Sequence, residues 1–240
     1  MLRKMVIVCG VLLGLLSVVV ILAAIVNMTR DNPPSQQGGS ASSEQTSSVE
    51  AQPTPTVEEP APINLSADGQ YATSAFDLDS GLAVFTMRHQ GQRIFAVRLI
   101  YYDEQVDGDL ANVRGSFEGS KAIQTQAGPH LLQVQADGPW TMTITQPRPS
   151  SAPQTTNFSG TGQTATDLFQ LSGGLRTFNV AYQGQSTFVV KLIDKDGEQV
   201  GGDVVHAFGS FEGPREVRVP EDGIYLFQVQ ADAPWSIQAT

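Results

Sequence analysis

This chain carries the same passage twice. From Ser66 it reads SADGQYATSAFDLDSGLAVF, then HQGQRIFAVRLI, EQVDGD, GSFEG and QVQADGPW. From Ser159 it reads SGTGQTATDLFQLSGGLRTF, then YQGQSTFVVKLI, EQVGGD, GSFEG and QVQADAPW. The two stay in register apart from single-residue slips near Asp103/Asp194 and between Gly119 and Leu132. A long internal period decides architecture before any local pattern does. It predicts two copies of one domain, each of roughly 80 residues, enough to enclose a core of its own. It also supplies a test: a residue placed for folding recurs in both copies, and a residue placed for chemistry need not.

Ahead of the repeats the sequence changes character twice. Arg3 and Lys4 precede an uncharged, mostly apolar run from Met5 to Met28. About 20 apolar residues cross a bilayer as a helix, whereas the core of a cleavable signal is shorter and ends at a small-x-small site. Ala23-Ala24-Ile25-Val26-Asn27 is no such site. The run therefore reads as an uncleaved signal anchor, with residues 1–4 in the cytoplasm and the rest of the chain outside, as the basic flank dictates. Residues 29–64 are rich in Ser, Pro, Thr, Gln and Glu and poor in bulky apolar side chains, the composition of a disordered tether. The repeats are then expected at 65–146 and 157–240, with a second tether at 147–156, and little between them to fuse two cores. Cys9 is the only cysteine. Exported domains of about this size without disulfides point to a bacterial cell rather than an animal one. A net charge of −10 excludes nucleic acid as a partner, since that requires basic patches over phosphates.

Within the repeats the period is two. Phe95, Val97 and Leu99 alternate with Ala96, Arg98 and Ile100, and Phe188, Val190 and Leu192 with Val189, Lys191 and Ile193. Leu132, Val134 and Ala136 alternate with Gln133 and Gln135, and Phe227, Val229 and Ala231 with Gln228 and Gln230. Such alternation marks half-buried antiparallel strands. Gln90-Gly91-Gln92, Asp196-Gly197, Glu118-Gly119 and Asp222-Gly223 supply turns between them. The expected fold is all-β: two tandem antiparallel β-sandwich domains, jelly-roll or immunoglobulin-like, of six to eight strands each.

The recurrent aromatics Phe76/Phe169, Phe85/Phe178, Phe95/Phe188, Phe117/Phe211 and Trp140/Trp235 share phase with the aliphatic face and read as core. A ligand or partner surface is sought instead where the copies differ. Tyr101-Tyr102 stands against Asp194-Lys195, and Ile94 and Ile100 lie on the outward face of the strand before it. Ile94, Ile100, Tyr101 and Tyr102 are the candidate surface. Asp194, Asp196, Glu198 and Asp203 have the look of a calcium loop, which needs six to eight converging oxygens; Asp-Gly is also a hairpin turn, and the turn reading is preferred. His89, His130 and His206 have no histidine counterparts, so no shared metal centre is expected, and no cofactor. Ser116 and Ser210 in GSFEG lack the strand-turn-helix setting and histidine of a nucleophile elbow, and Glu118 and Glu212 stand one per repeat, not as the carboxylate pair of a glycosidase. The chain is not expected to be an enzyme.

Phe188-Val-Val-Lys-Leu-Ile-Asp-Lys-Asp-Gly197 and Asp222-Gly-Ile-Tyr-Leu-Phe-Gln-Val-Gln-Ala231 resemble the non-catalytic β-sandwich repeats of the pre-peptidase C-terminal kind found on exported bacterial proteins. There a strand ending Leu-x-Asp-x-x-Gly is followed by Gly-x-Tyr-x-Leu-x-Val. The first copy departs, with Tyr101-Tyr102-Asp103-Glu104 and Gly128-Pro-His-Leu131 at these places. The resemblance covers about half of each repeat and implies an accessory role outside the cell. The expected function is a membrane-anchored, extracytoplasmic binding or interaction module. Its expected partners are an envelope protein or polysaccharide. The alternative is a structural spacer or envelope-assembly subunit with no small ligand.

Overall fold

The structure, a computed structural model, describes residues 58–101 and 105–239. The apolar run 5–28, most of the first tether and Tyr102 lie outside the described residues. Among the described residues no helix is long and apolar enough to cross a membrane.

Both repeats belong to one compact unit, Pro53–Thr240. Each forms nine strands among the described residues. The first repeat has β1 (Ile63–Asp68), β2 (Tyr71–Ala72), β3 (Phe76–Leu78), β4 (Gly81–His89) and β5 (Ile94–Tyr101). It continues with β6 (Gln105–Arg114), β7 (Phe117–Thr125), β8 (Gly128–Gln135) and β9 (Pro139–Thr145). The second has β10 (Asn157–Thr161), β11 (Thr164–Ala165), β12 (Phe169–Leu171), β13 (Gly174–Tyr182) and β14 (Thr187–Asp194). It ends with β15 (Val205–Phe208), β16 (Phe211–Val219), β17 (Gly223–Gln230) and β18 (Pro234–Ala239).

All pairings are antiparallel and identical in plan. One sheet of the first repeat runs β1-β9-β4-β7 and the other β2-β8-β5-β6, with β3 also on β8. The second repeat has β10-β18-β13-β16 and β11-β17-β14-β15, with β12 on β17. The pairs nest, first strand with last and so on inward, as when one long antiparallel ribbon is rolled up. Each repeat is thus a β-sandwich whose inner faces meet in a separate core. Phe85, Phe95, Leu99, Leu132 and Trp140 lie in the first, and Phe178, Phe188, Leu192, Phe227 and Trp235 in the second.

The recurrent residues behave as folding residues. Trp140 and Trp235 are buried, and each donates its indole N–H, at 3.1 Å, to a carbonyl of the turn after the first strand, Gly69 and Gly162. Those glycines sit at φ 73° and 76°, the left-handed region that favours residues without a Cβ. The repeats diverge most where the sequence slips: β6 is long and pairs with β5 through two register shifts, while β15 is four residues.

The segment between the repeats is fastened rather than slack. Arg148 donates to the carbonyls of Leu82 and Ser80 at 3.0 and 2.9 Å, and the Pro153 carbonyl accepts the Gln170 N–H at 2.9 Å. A third apolar cluster then joins the two sandwiches: Leu82 and Ala122 of the first with Ile193 and Leu226 of the second, flanked by Val84, Ala165 and Leu168. The cores are separate and the domains are docked.

Candidate docking surface

The junction shows what one face of this sandwich does when occupied. In β7 the N–H groups of Ser120 and Ala122 point away from β4, because β7 is an edge strand, and an edge N–H left dry and unpaired is costly. The second repeat satisfies both. The Ser120 N–H donates to the Gln163 carbonyl at 3.1 Å, and the Ala122 N–H to Gln228 Oε1 at 2.6 Å. Gln163 Nε2 donates to the Leu110 carbonyl at 2.9 Å, and Ala165 N–H to Ser120 Oγ at 2.8 Å. Gln228 is 5 % exposed, so its amide is a buried polar group made tolerable by these bonds. Lys121 and Lys191 meet at the rim: burial first, then the Lys191 charge, lowers the Lys121 pKa below the ordinary lysine value, with Asp109 opposing.

The surface that receives β7 is the outer face of the sheet β11-β17-β14-β15, and the first repeat builds the same surface on β2-β8-β5-β6. Ala165 pairs with Gln228, and Ala72 with Gln133. Lys191 pairs with Gln228 and Arg98 with Gln133; Ile193 pairs with Leu226 and Ile100 with Leu131. Gln70 stands where Gln163 stands. In the first repeat, however, Gln70 and Gln133 are exposed. They line a cavity of about 690 Å³ together with Tyr71, Ile94, Ala96 and Arg98. Tyr71, at 48 % exposure, replaces Thr164, and Ile94 replaces Thr187, so the open face gains apolar area at these two positions, while Ala96 stands for Val189.

The four residues singled out from the sequence are dispersed relative to this face. Ile94 is half-buried and lines the cavity. Ile100 shares its side of β5 but is 6 % exposed, offering little area. Tyr101 points to the other side, its ring 4.9 Å from that of His130 and its hydroxyl donating to the Ala127 carbonyl at 3.2 Å. Tyr102 lies outside the described residues. Tyr71, which stands against Thr164, is a difference that a comparison of the copies exposes, whereas Gln70 and Gln133 escape it because they recur. Their signal was present: two glutamines kept on an outward face, where folding of a single domain does not require them.

The acidic loop is organised as a turn. Asp194 Oδ1 accepts the N–H groups of Asp196 and Glu198 at 3.0 and 2.8 Å. Lys195 pairs with Asp196, and Asp203 with His206. Among the described residues no group of three or more His, Cys, Asp or Glu converges as metal ligands. Gly115 and Gly209, at φ 88° and 83°, make GSFEG a strand-to-strand turn with Ser116 and Ser210 exposed. His89 is buried and stacked on Phe95 at 4.6 Å, its Nδ1 3.0 Å from the Gly115 carbonyl and its Nε2 3.4 Å from Asp137. Tyr182 takes its place in the second repeat, stacked on Phe188 and donating to Asp232. This is one hairpin support in two chemistries.

No protein-family model matches the chain, and no curated protein matches it by sequence. Among solved structures, it is similar to the PBSX exported protein XepA, at 9 % identity and a TM-score of 0.26 over 76 % of this chain and 86 % of that one. It is also similar to the stem and receptor-binding domain of the spike protein P1 of bacteriophage PM2, at 8 % identity and a TM-score of 0.16 over 78 % and 81 % of the two chains.

Proposed function

We propose that this chain is a membrane-anchored, extracytoplasmic interaction module without catalytic activity, its N-terminal helix holding a docked pair of β-sandwiches outside the cell. The observation that carries the reading is the open face of the first repeat. The same face in the second repeat is occupied by protein, and the open one keeps the two glutamines that make that contact. The nested strand order favours jelly-roll over immunoglobulin-like sandwiches. The apolar run Met5–Met28 with Arg3 and Lys4 before it supports the anchor and its orientation.

Protease added to intact cells should cut the tether and release both repeats as a soluble fragment. Repeats that stay protected until the membrane is opened would remove the exported-module reading. A spacer role is the second reading, favoured by the fastened linker and the shared cluster that join the two domains. The two separate in cells: a module loses function when Tyr71 and Gln133 are changed, whereas a spacer tolerates this and responds to tether length.

A further inference from the structure

We propose that the open face of the first repeat is a receptor for the edge strand of a further β-sandwich domain carried on another protein, captured as the second repeat captures β7. The inference rests on the interaction-module reading and names its partner class. The occupant's chemistry follows from the junction. It must bring an edge strand with small side chains at two alternate positions, as Ser120 and Ala122 are small. One N–H must be free for the Gln133 carboxamide oxygen and another for the Gln70 carbonyl, matching Gln228 and Gln163. Tyr71 and Ile94, where the second repeat has threonines, add apolar cover that a transient contact between separate chains needs more than an intrachain one does.

A second copy of this chain is the wrong occupant. Its β7 edge is already engaged by its own second repeat. Its equivalent edge is β16, the outer strand of β10-β18-β13-β16, and there Pro214 stands at the position of Ser120 and Glu216 at that of Ala122. Proline has no N–H to give, and a carboxylate would be forced against the apolar pair; both are devices that blunt an edge. In place of the Ser120 hydroxyl and the Ala122 methyl, then, the C-terminal end carries two obstacles to chain growth.

The obstacles provide the test. In the Pro53–Thr240 fragment, which contains every described element, Pro214→Ser with Glu216→Ala restores the receivable edge. The variant is its own probe: repeat two of one copy should enter the open face of the next. Head-to-tail contacts build rings or open chains of copies, so sedimentation should show the weight-average mass rising with concentration to at least about twice that of the wild-type fragment. Adding Gln133→Leu, which takes away the oxygen that accepts the incoming N–H, should return the mass to the wild-type value. Glu216→Ala alone, a change at one exposed side chain, should show weaker association with the same dependence on Gln133, and serves if the double variant does not fold.

Folded variants that keep the wild-type mass, or association indifferent to Gln133→Leu, would overturn edge capture. Wild-type fragment that itself associates through Gln133 would overturn the assignment to another protein. None of these results bears on membrane topology, so failure here and failure of the exported-module reading are told apart.

Discussion

Gln228 and Gln133 occupy one position of the repeat and should answer the same substitution differently. Gln228→Leu removes the acceptor of the buried Ala122 N–H and leaves that donor dry, a loss of about 1–3 kcal/mol in urea unfolding. Gln133→Leu touches an exposed side chain and should stay within about 0.5 kcal/mol of wild type. Equal losses would mean that the glutamine serves its own sandwich rather than the junction. Asp137 makes a different prediction. It accepts the Gln92 and Arg93 N–H groups at 3.1 and 2.9 Å and faces His89. Burial raises its pKa, but those two N–H groups and the His89 charge together outweigh it, and the net shift is below the ordinary aspartate value. A carboxyl depressed in the fold stabilises above its unfolded pKa, near 3.9, and that contribution is lost as pH falls through the lower folded value. Asp137→Asn should therefore flatten the acid limb of the stability profile below about pH 4. At this scale the sequence was legible for Trp140 and Trp235, which recur and are core. The glutamines escaped because they recur too, and recurrence was equated with folding.

Strands β7 and β16 descend from one pattern and end in different states, one covered and one blunted, because two side chains differ: Ser120 and Ala122 against Pro214 and Glu216. The period of two is enough to place such strands, since alternation reports which residues face the core of their own domain. It is silent on the outer face, where burial depends on a neighbour that sequence alone does not position. That is why Lys191 and Val189 read as ordinary outward residues although Val189 is buried, and why a continuous groove on β2-β8-β5 was read as one strand with two tyrosines. The slip near Asp103, where the first copy is one residue shorter than the second, was legible as an irregularity but not as the bulged pairing of β5 with β6, because composition does not show where a ladder shifts. Strand β9 gives the prediction at this scale. Trp140→Ala empties a site lined by one sandwich only and frees the Gly69 carbonyl, so it should cost roughly 3–5 kcal/mol by denaturant unfolding. A cost near that of a surface substitution would remove Trp140 from the core.

At the scale of the whole molecule, the described residues form two cores and one seam, and the seam decides how they melt. Leu82 and Ala122 of the first domain meet Ile193 and Leu226 of the second in a buried cluster of their own, and none of the four belongs to either main core. Two sandwiches joined this way have the means to unfold together, since opening either one exposes the seam and strands the Ala122 N–H. The tandem repeat reads as two domains with a tether at 147–156; Arg148, bonded back to Leu82 and Ser80, is what a composition of Pro, Ser and Thr does not disclose. The wild-type Pro53–Thr240 fragment should accordingly melt in a single transition whose calorimetric and van't Hoff enthalpies agree. Ile193→Asp places a charge in the seam without entering either main core, a cost of several kcal/mol that falls on the contact between domains. Calorimetry should then resolve two transitions, each with roughly half the enthalpy. If the variant still melts as one, only at a lower temperature, the coupling runs through the fastened linker instead, and Arg148→Ala in the same background should split it.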